Sequence, residues 1–332
     1  MPSQPSHALR VAAVPAMLVS GGLLAVQSQI NGRLADDMGS GPRAGFGAAV
    51  ISFATGLVVL AVLTLVVARN RQRVRDLADA LRTGSLRPLE LIGGLLGAFV
   101  VASQGLTVAT LGVALFSIAL TAGQSCSALL VDHLGIGPAG RQQLSASRVV
   151  AAAFAVVAVL LASASRLQEA FSWQVALFTV VPFLAGAAAS LQQALNGRVA
   201  RAAHPWVTTL VNFVVGTAAL VVALAISLLA HGDFEPLPGE WWLYLGGVLG
   251  VVFVWLAALL VRVHGVLVLG LSVIAGQVIT AELIEVVVDG SEVSLLGVVA
   301  GALTVLGVVV ALAVRRGQPD DQPAEQPAGQ AS

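Results

Sequence analysis

The sequence predicts an all-α integral membrane protein, with ten transmembrane helices in two inverted five-helix repeats. Three observations predict it. Hydrophobic residues fill 57% of the 332 positions and charged residues only 10%, with a mean hydropathy of +0.92; a soluble domain carries about 25% charged residues. The stretch Gln27-Ser28-Gln29-Ile30-Asn31-Gly32-Arg33 recurs as Gln192-Gln193-Ala194-Leu195-Asn196-Gly197-Arg198. The 17 basic residues, all arginine, divide very unequally between alternate connections of the apolar segments. A formal net charge of zero gives no support for a nucleic-acid partner. The single cysteine, Cys126, excludes an intramolecular disulfide and a cysteine-cluster metal site.

The repeat extends well beyond the first match. Ser52-Phe53-Ala54-Thr55-Gly56 corresponds to Asn212-Phe213-Val214-Val215-Gly216. Gly93-Gly94-Leu95-Leu96-Gly97 corresponds to Gly246-Gly247-Val248-Leu249-Gly250, and Ala122-Gly123-Gln124 to Ala275-Gly276-Gln277. Matches in the same order define two copies of one unit. The first repeat takes residues 1–165, the second 166–316, and a tail rich in Gln, Pro and Asp, 317–332, is expected to be disordered.

Runs of about 20 apolar residues are long enough to cross a bilayer. The first, 11–31, follows Arg10 and resembles a secretory signal, yet no small-x-small cleavage site precedes Gln27 and the segment reappears in mid-chain. The second, 46–68, ends at an arginine-rich loop, Arg69 to Arg87. The third and fourth, 89–110 and 112–132, run together across Thr110-Leu111-Gly112, which requires a tight turn. The fifth, 149–165, is the shortest. The second copy supplies 173–195, 207–230, 241–261, 265–288 and 293–314, with an acidic loop, His231 to Glu240, where the first has its arginines.

Arginine placement sets the expected orientation. With both termini cytoplasmic, fourteen arginines lie inside and only Arg33, Arg43 and Arg166 outside. Five spans per copy turn the second copy upside down relative to the first. Inverted repeats of this kind occur in secondary transporters, with the substrate site near the membrane midplane.

On the Gln-x-x-x-Asn, Ser/Asn-Phe-x-x-Gly, Gly-Gly-x-x-Gly and Ala-Gly-Gln motifs of each half, the chain resembles the drug/metabolite transporter (DMT, EamA-like) superfamily. Within it the chain resembles the YdcZ-type inner-membrane exporters. Many members of that family look like single five-helix halves that pair; this chain resembles two halves fused. The resemblance implies transport across the cytoplasmic membrane and names no substrate.

Polar side chains inside a membrane face protein or a water-filled path. Gln27 and Asn31 are spaced i, i+4 and share one helix face, as do Gln192 and Asn196. Two readings stay open: rims or gates at the two mouths, or caps of the last turn with Gly32 and Gly197 as helix stops. Gln124 and Gln277, mid-helix among small residues, suit either a central cavity or interhelical hydrogen bonds. Trp255 with Phe253 suits a cavity wall or core packing. Glu282 is a carboxylate that the first copy lacks, Leu129 standing in its place, and suits either proton coupling or a Glu that reaches the outer mouth or pairs with a neighbouring span; Glu285, aligned with Asp132, is an interfacial candidate. Pro15 and Pro182 can kink the two first helices. His133 and His264 lack metal-ligand partners, and Cys126 is expected as a small packing residue.

The expected function is secondary transport of small metabolites or drugs by alternating access, with proton coupling as an option. A membrane enzyme acting on a lipid or lipid-linked group is the alternative, but no His-x-x-x-His, paired-Asp or Gly-x-Ser-x-Gly motif supports it. A passive channel or structural membrane protein is a third reading. No catalytic residue, metal or cofactor is expected. The expected partners are the lipid bilayer and a small-molecule substrate, with a homodimer as an open alternative.

Overall fold

The computed structural model describes residues 7–162, 173–229, 233, 235–287 and 295–313. Every regular element among these described residues is a helix. α1 is His7–Asp37, α2 Gly41–Val66, α3 Ala68–Arg82, α4 Gly93–Leu134, α5 Ala146–Ala162 and α6 Trp173–Ala202. α7 is Pro205–Ser227, α8 Gly246–His264, α9 Val266–Val287 and α10 Leu295–Ala313, with 3₁₀ turns at Pro88–Ile92 and Trp241–Leu245. Among the described residues seven helices are long and apolar enough to cross a membrane, and the apolar stretches at 88–104 and 146–161 are shorter. Arg166 and the tail 317–332 lie outside the described residues.

Helix ends follow the local sequence. Proline near the first turn of α2 and α7 fixes φ where no amide donor is needed. α4 ends at Gly135, whose φ of 69° is open to glycine; its amide and that of Ile136 close on the carbonyls of Asp132 and Val131. α8 breaks from α9 at Gly265, with φ 88°.

Three expectations need correction. The arginine-rich segment after α2 is not a loop. It forms α3, because Leu77 and Ala80 fall on one face and pack with Leu86 against Val199 and Val207 while the arginines stay outside. Gly32 and Gly197 do not stop their helices: α1 continues to Asp37 and α6 to Ala202. Helical geometry there tolerates glycine, and no residue with positive φ follows until Gly39. Cys126 is exposed rather than packed.

α4 is helical without interruption across the expected turn at Thr110-Leu111-Gly112. A straight helix of its 42 residues would be about 63 Å long. Yet Gly93, at its start, faces Asn196, and Pro138, just past its end, faces Gly197, so both ends lie at one end of α6. The segment therefore doubles back, its two limbs abutting without a loop residue between them.

α6 packs against α4, α1 against α8 and α9, α2 against α7, and α5 against α10. The largest core surrounds the first half of α9, where residues 266–276 are all buried, with Met17, Val131, Val261 and Val308 among its neighbours. Lipid tails are as apolar as leucine, so helices associate by close packing rather than by exclusion of water. Gly186 accordingly faces the Leu120 carbonyl and Gly123 that of Phe183, while Gly276 faces the Leu18 carbonyl and Gly21 that of Val273.

The bundle has two chemically different ends. At one, α3 and Arg69, Arg73 and Arg262 surround His204, and Arg198 pairs with Glu90 at 3.0 Å. At the other, Arg43 donates to the carbonyls of Ser227 and Leu228, Arg33 lies 5.8 Å from the Trp242 ring centroid, and the Glu235 amide donates to Met38.

Candidate functional site

The two Gln-x-x-x-Asn motifs each meet a Gly-x-x-x-Gly face from the opposite half of the chain. The point where a β-carbon would sit on Gly97 is 2.6 Å from Gln192 Nε2, and on Gly250 it is 2.6 Å from Gln27 Nε2. Gly93 faces Asn196 Oδ1, and Gly246 faces Asn31 Oδ1. A third residue completes each corner: Asn212 Nδ2 is 3.1 Å from the Gly93 position and Ser52 Oγ 3.2 Å from the Gly246 position. Only glycine leaves room for a polar side chain to lie across the backbone here.

The corners differ in hydrogen bonding. Gln192 Nε2 donates to Asn212 Oδ1 at 2.9 Å, and Asn212 Nδ2 donates to Asn196 Oδ1 in a short bond. One asparagine thus acts as acceptor and donor at once, and it links the three amides in a continuous chain. In the other corner Ser52 stands where Asn212 would. Gln27 Oε1, Asn31 Oδ1 and Ser52 Oγ are all buried and have no partner among the described residues. Between the corners Phe53 and Phe213 stack, with ring centroids 5.0 Å apart and planes inclined by 29°. Each ring also packs on the glycine that follows the other, Phe213 on Gly56 and Phe53 on Gly216.

Gln27, Asn31, Gln192 and Asn196 are therefore brought into two corners, and the capping reading of the asparagines falls with the extended helices. Gln124 and Gln277 do not meet. Gln124 is buried, its Nε2 3.3 Å from the β-carbon position of Gly270, which precedes Gln277 by two helical turns, about 10 Å. Gln277 is half-buried. Trp255 is half-buried mid-helix, and Phe253 packs against the main core. Glu282 is half-buried, with its carboxylate against Gly297 of α10; the side chain of Glu285 lies outside the description. Pro15 and Pro182 both lie inside continuous helices, the first exposed and the second buried. His264 is buried, and His133 Nδ1 is buried without a partner among the described residues. No cluster of three potential metal ligands occurs among the described residues.

Asp132 is the residue whose importance the sequence did not signal. Its side chain is 2% exposed and pairs with Arg148 at 2.6 Å. It also accepts from the amides of Val266 at 2.9 Å and Leu267 at 3.0 Å, the first free donors of α9. Gly265 leaves room for it, since a β-carbon there would sit 3.1 Å from Asp132 Oδ2. One carboxylate thus ties the ends of α4, α5 and α9 together. The signal available was a lone Asp next to a glycine-terminated helix; its partners lie 16 and 134 residues away.

A cavity of about 790 Å³ opens at the arginine-rich end, lined by Ile92, Gly137, Leu191, Leu195, Arg198 and Arg201 among others. Arg198 is held by Glu90, and Arg201 donates to the Pro138 carbonyl. The cavity borders the closed amide corner along the neighbouring face of α6.

The chain matches the family described as "Putative inner membrane exporter, YdcZ" twice, over residues 12–161 and 177–310. Two matches to one family are what a fused pair of halves produces. No curated protein matches it. A solved structure described only as "Crystal structure of protein" has a TM-score of 0.66 at 20% identity, over 92% of this chain and 99% of that one. That likeness is one of fold.

Proposed function

Since the chain belongs to the YdcZ family of inner membrane exporters, we propose that it moves small molecules across the cytoplasmic membrane as a secondary transporter. Family membership and the row of apolar helices support a membrane transporter. Alternating access between two inverted five-helix halves is the finer reading, with α4 contributing two of ten spans. The observation that carries it is the pair of corners: the same glycine–glutamine–asparagine geometry occurs twice, beside each ring of the Phe53–Phe213 stack, and each corner is built from both halves. Such corners can open in turn while the Phe53–Phe213 stack stays between them.

Orientation follows from charge. The arginine-rich end carries α3, Arg198, Arg201 and Arg262 and is assigned to the cytoplasm, with both termini on that side. Glu282 is the proposed proton carrier, since an ionisable side chain in a membrane span defaults to function. Its position against α10 supports a role at the interface of α9 and α10 rather than at the lipid face.

Cysteine accessibility tests the cycle. Val26 and Leu191 precede Gln27 and Gln192 and occupy equivalent positions. Each is replaced by cysteine in a Cys126→Ala background and labelled with a membrane-impermeant maleimide from either side. Closing the open corner with Ser52→Asn should lower labelling at position 26 and raise it at 191. Independent or parallel changes would refute alternating access.

A further inference from the structure

We propose that the corner formed by Gln27, Asn31 and Ser52 binds a small group that donates N–H hydrogen bonds, such as a primary ammonium, and rejects carboxylates and phosphates. This rests on the transport reading and gives its substrate a chemical class. Eight buried side-chain polar atoms lack a partner among the described residues, and three of them lie in this one corner. All three are oxygens. Buried polar atoms in native proteins are nearly always satisfied, by protein, water or ligand.

The closed corner shows what is missing. There a single amide, Asn212, accepts from the glutamine and donates to the asparagine. Ser52 is shorter and bonds to neither amide. Asn31 Oδ1 is left without the donor that Asn212 gives Asn196, and Gln27 Oε1 is a second buried acceptor beside it without a partner among the described residues. A ligand that enters the corner satisfies these two carbonyl oxygens by bringing donors. An anion can accept from the Ser52 hydroxyl and the side-chain amides, but it leaves both carbonyl oxygens unpaired.

Charge at this mouth points the same way. Asp36, Asp37, Asp233, Glu235 and Glu240 are exposed here, against the guanidiniums of Arg33 and Arg43. Arg43 is engaged with two carbonyls and Arg33 with Trp242. An acidic mouth raises the local concentration of cations and lowers that of anions.

The test uses the purified full chain in nanodiscs and compares methylammonium chloride, tetramethylammonium chloride and sodium acetate at equal ionic strength. Methylammonium has three N–H donors; tetramethylammonium has the charge and none. A ligand that binds the native state raises its melting temperature. Methylammonium should raise Tm saturably, tetramethylammonium and acetate should not, and Ser52→Asn should remove the response while melting at or above the parent. If Ser52→Asn does not fold, Ser52→Ala serves: it keeps the space, deletes one acceptor, and should weaken methylammonium binding roughly threefold to tenfold. The proposal is overturned by no response to methylammonium, which would leave water as the occupant, by an equal response to tetramethylammonium, or by a response that survives Ser52→Asn. Should it fail while the cysteines at 26 and 191 still label reciprocally, transport stands and only the substrate class falls.

Discussion

The corner at Gln192, Asn196 and Asn212 and the corner at Gln27, Asn31 and Ser52 share a backbone and differ in one side chain. Both set a glutamine and an asparagine against a pair of glycines from the other half, with matching contact distances. In the first, three amides satisfy one another. In the second, three oxygens are left over. Duplication preserves geometry through small residues, while function can diverge through the single polar atom that closes or opens a network.

The largest effect should come from breaking what secures the closed end. Asp132→Ala leaves the buried Arg148 guanidinium unpaired and strips the start of α9 of its acceptor. Removing one member of a buried pair costs about 3–5 kcal/mol, so the thermal stability of the purified protein should fall sharply. A change under about 1 kcal/mol would mean that α9 is held by packing alone.

Next comes Asn212→Ser, which makes the closed corner a copy of the open one. It orphans Gln192 Nε2 and Asn196 Oδ1 at a cost of about 1–3 kcal/mol. Denaturation should show the loss, and labelling of a cysteine at 191 should rise. The reciprocal Ser52→Asn should stabilise by about 1 kcal/mol, given roughly 0.6 kcal/mol for a hydrogen bond between membrane helices. A destabilised Ser52→Asn would show that the open corner lacks room for the amide.

Acidity should affect one end more than the other. His204 caps α7 by accepting from the Trp206 amide at 3.0 Å. Burial lowers its pKa, and the nearby Arg73, Arg69 and Arg262 lower it further. The folded protein therefore holds this imidazole neutral where the unfolded chain begins to protonate. Its contribution is complete above the unfolded value of about 6.5 and is lost as pH falls through the depressed folded value. Stability measured from pH 8 downward should decline below that point, and His204→Asn, an uncharged cap, should flatten the decline.

The smallest difference is expected between Gly97→Ala and Gly250→Ala. Both push on the flexible end of a glutamine at the same distance, so their stability losses should agree within about 0.5 kcal/mol. A larger gap would mean that the closed network, unlike the open one, cannot yield.

Much of this was legible in the sequence because membrane helices leave strong signals. The duplication, the i, i+4 amide pairs and the segregation of arginines came from spacing and composition, and the repeat already aligned Ser52 with Asn212. What spacing could not tell was that this substitution decides the corner, since its consequence appears only when α1, α2 and α8 meet. α3 reads as a loop in the sequence because its arginines outnumber the apolar contact that Leu77 and Ala80 make. The helix stops at Gly32 and Gly197 were expected from local rules, but long-range packing carried both helices onward. Asp132 was invisible because its partners are remote in sequence.

Fusion also has a consequence that two separate copies could not share. An antiparallel pair of identical chains has interchangeable ends, so both of its resting conformations have the same free energy. Here Asn212 supplies two bonds that Ser52 does not. Under the proposed alternating access, at roughly 0.6 kcal/mol each, they would tilt the equilibrium by about 1.2 kcal/mol, a bias of about sevenfold toward the form whose amide corner at the arginine-rich end is closed. Under alternating access the empty protein then waits with its acidic mouth receptive, and an occupant that satisfies the three oxygens cancels the tilt. One side chain that differs between the two copies is enough to give a nearly symmetric machine a preferred idle position.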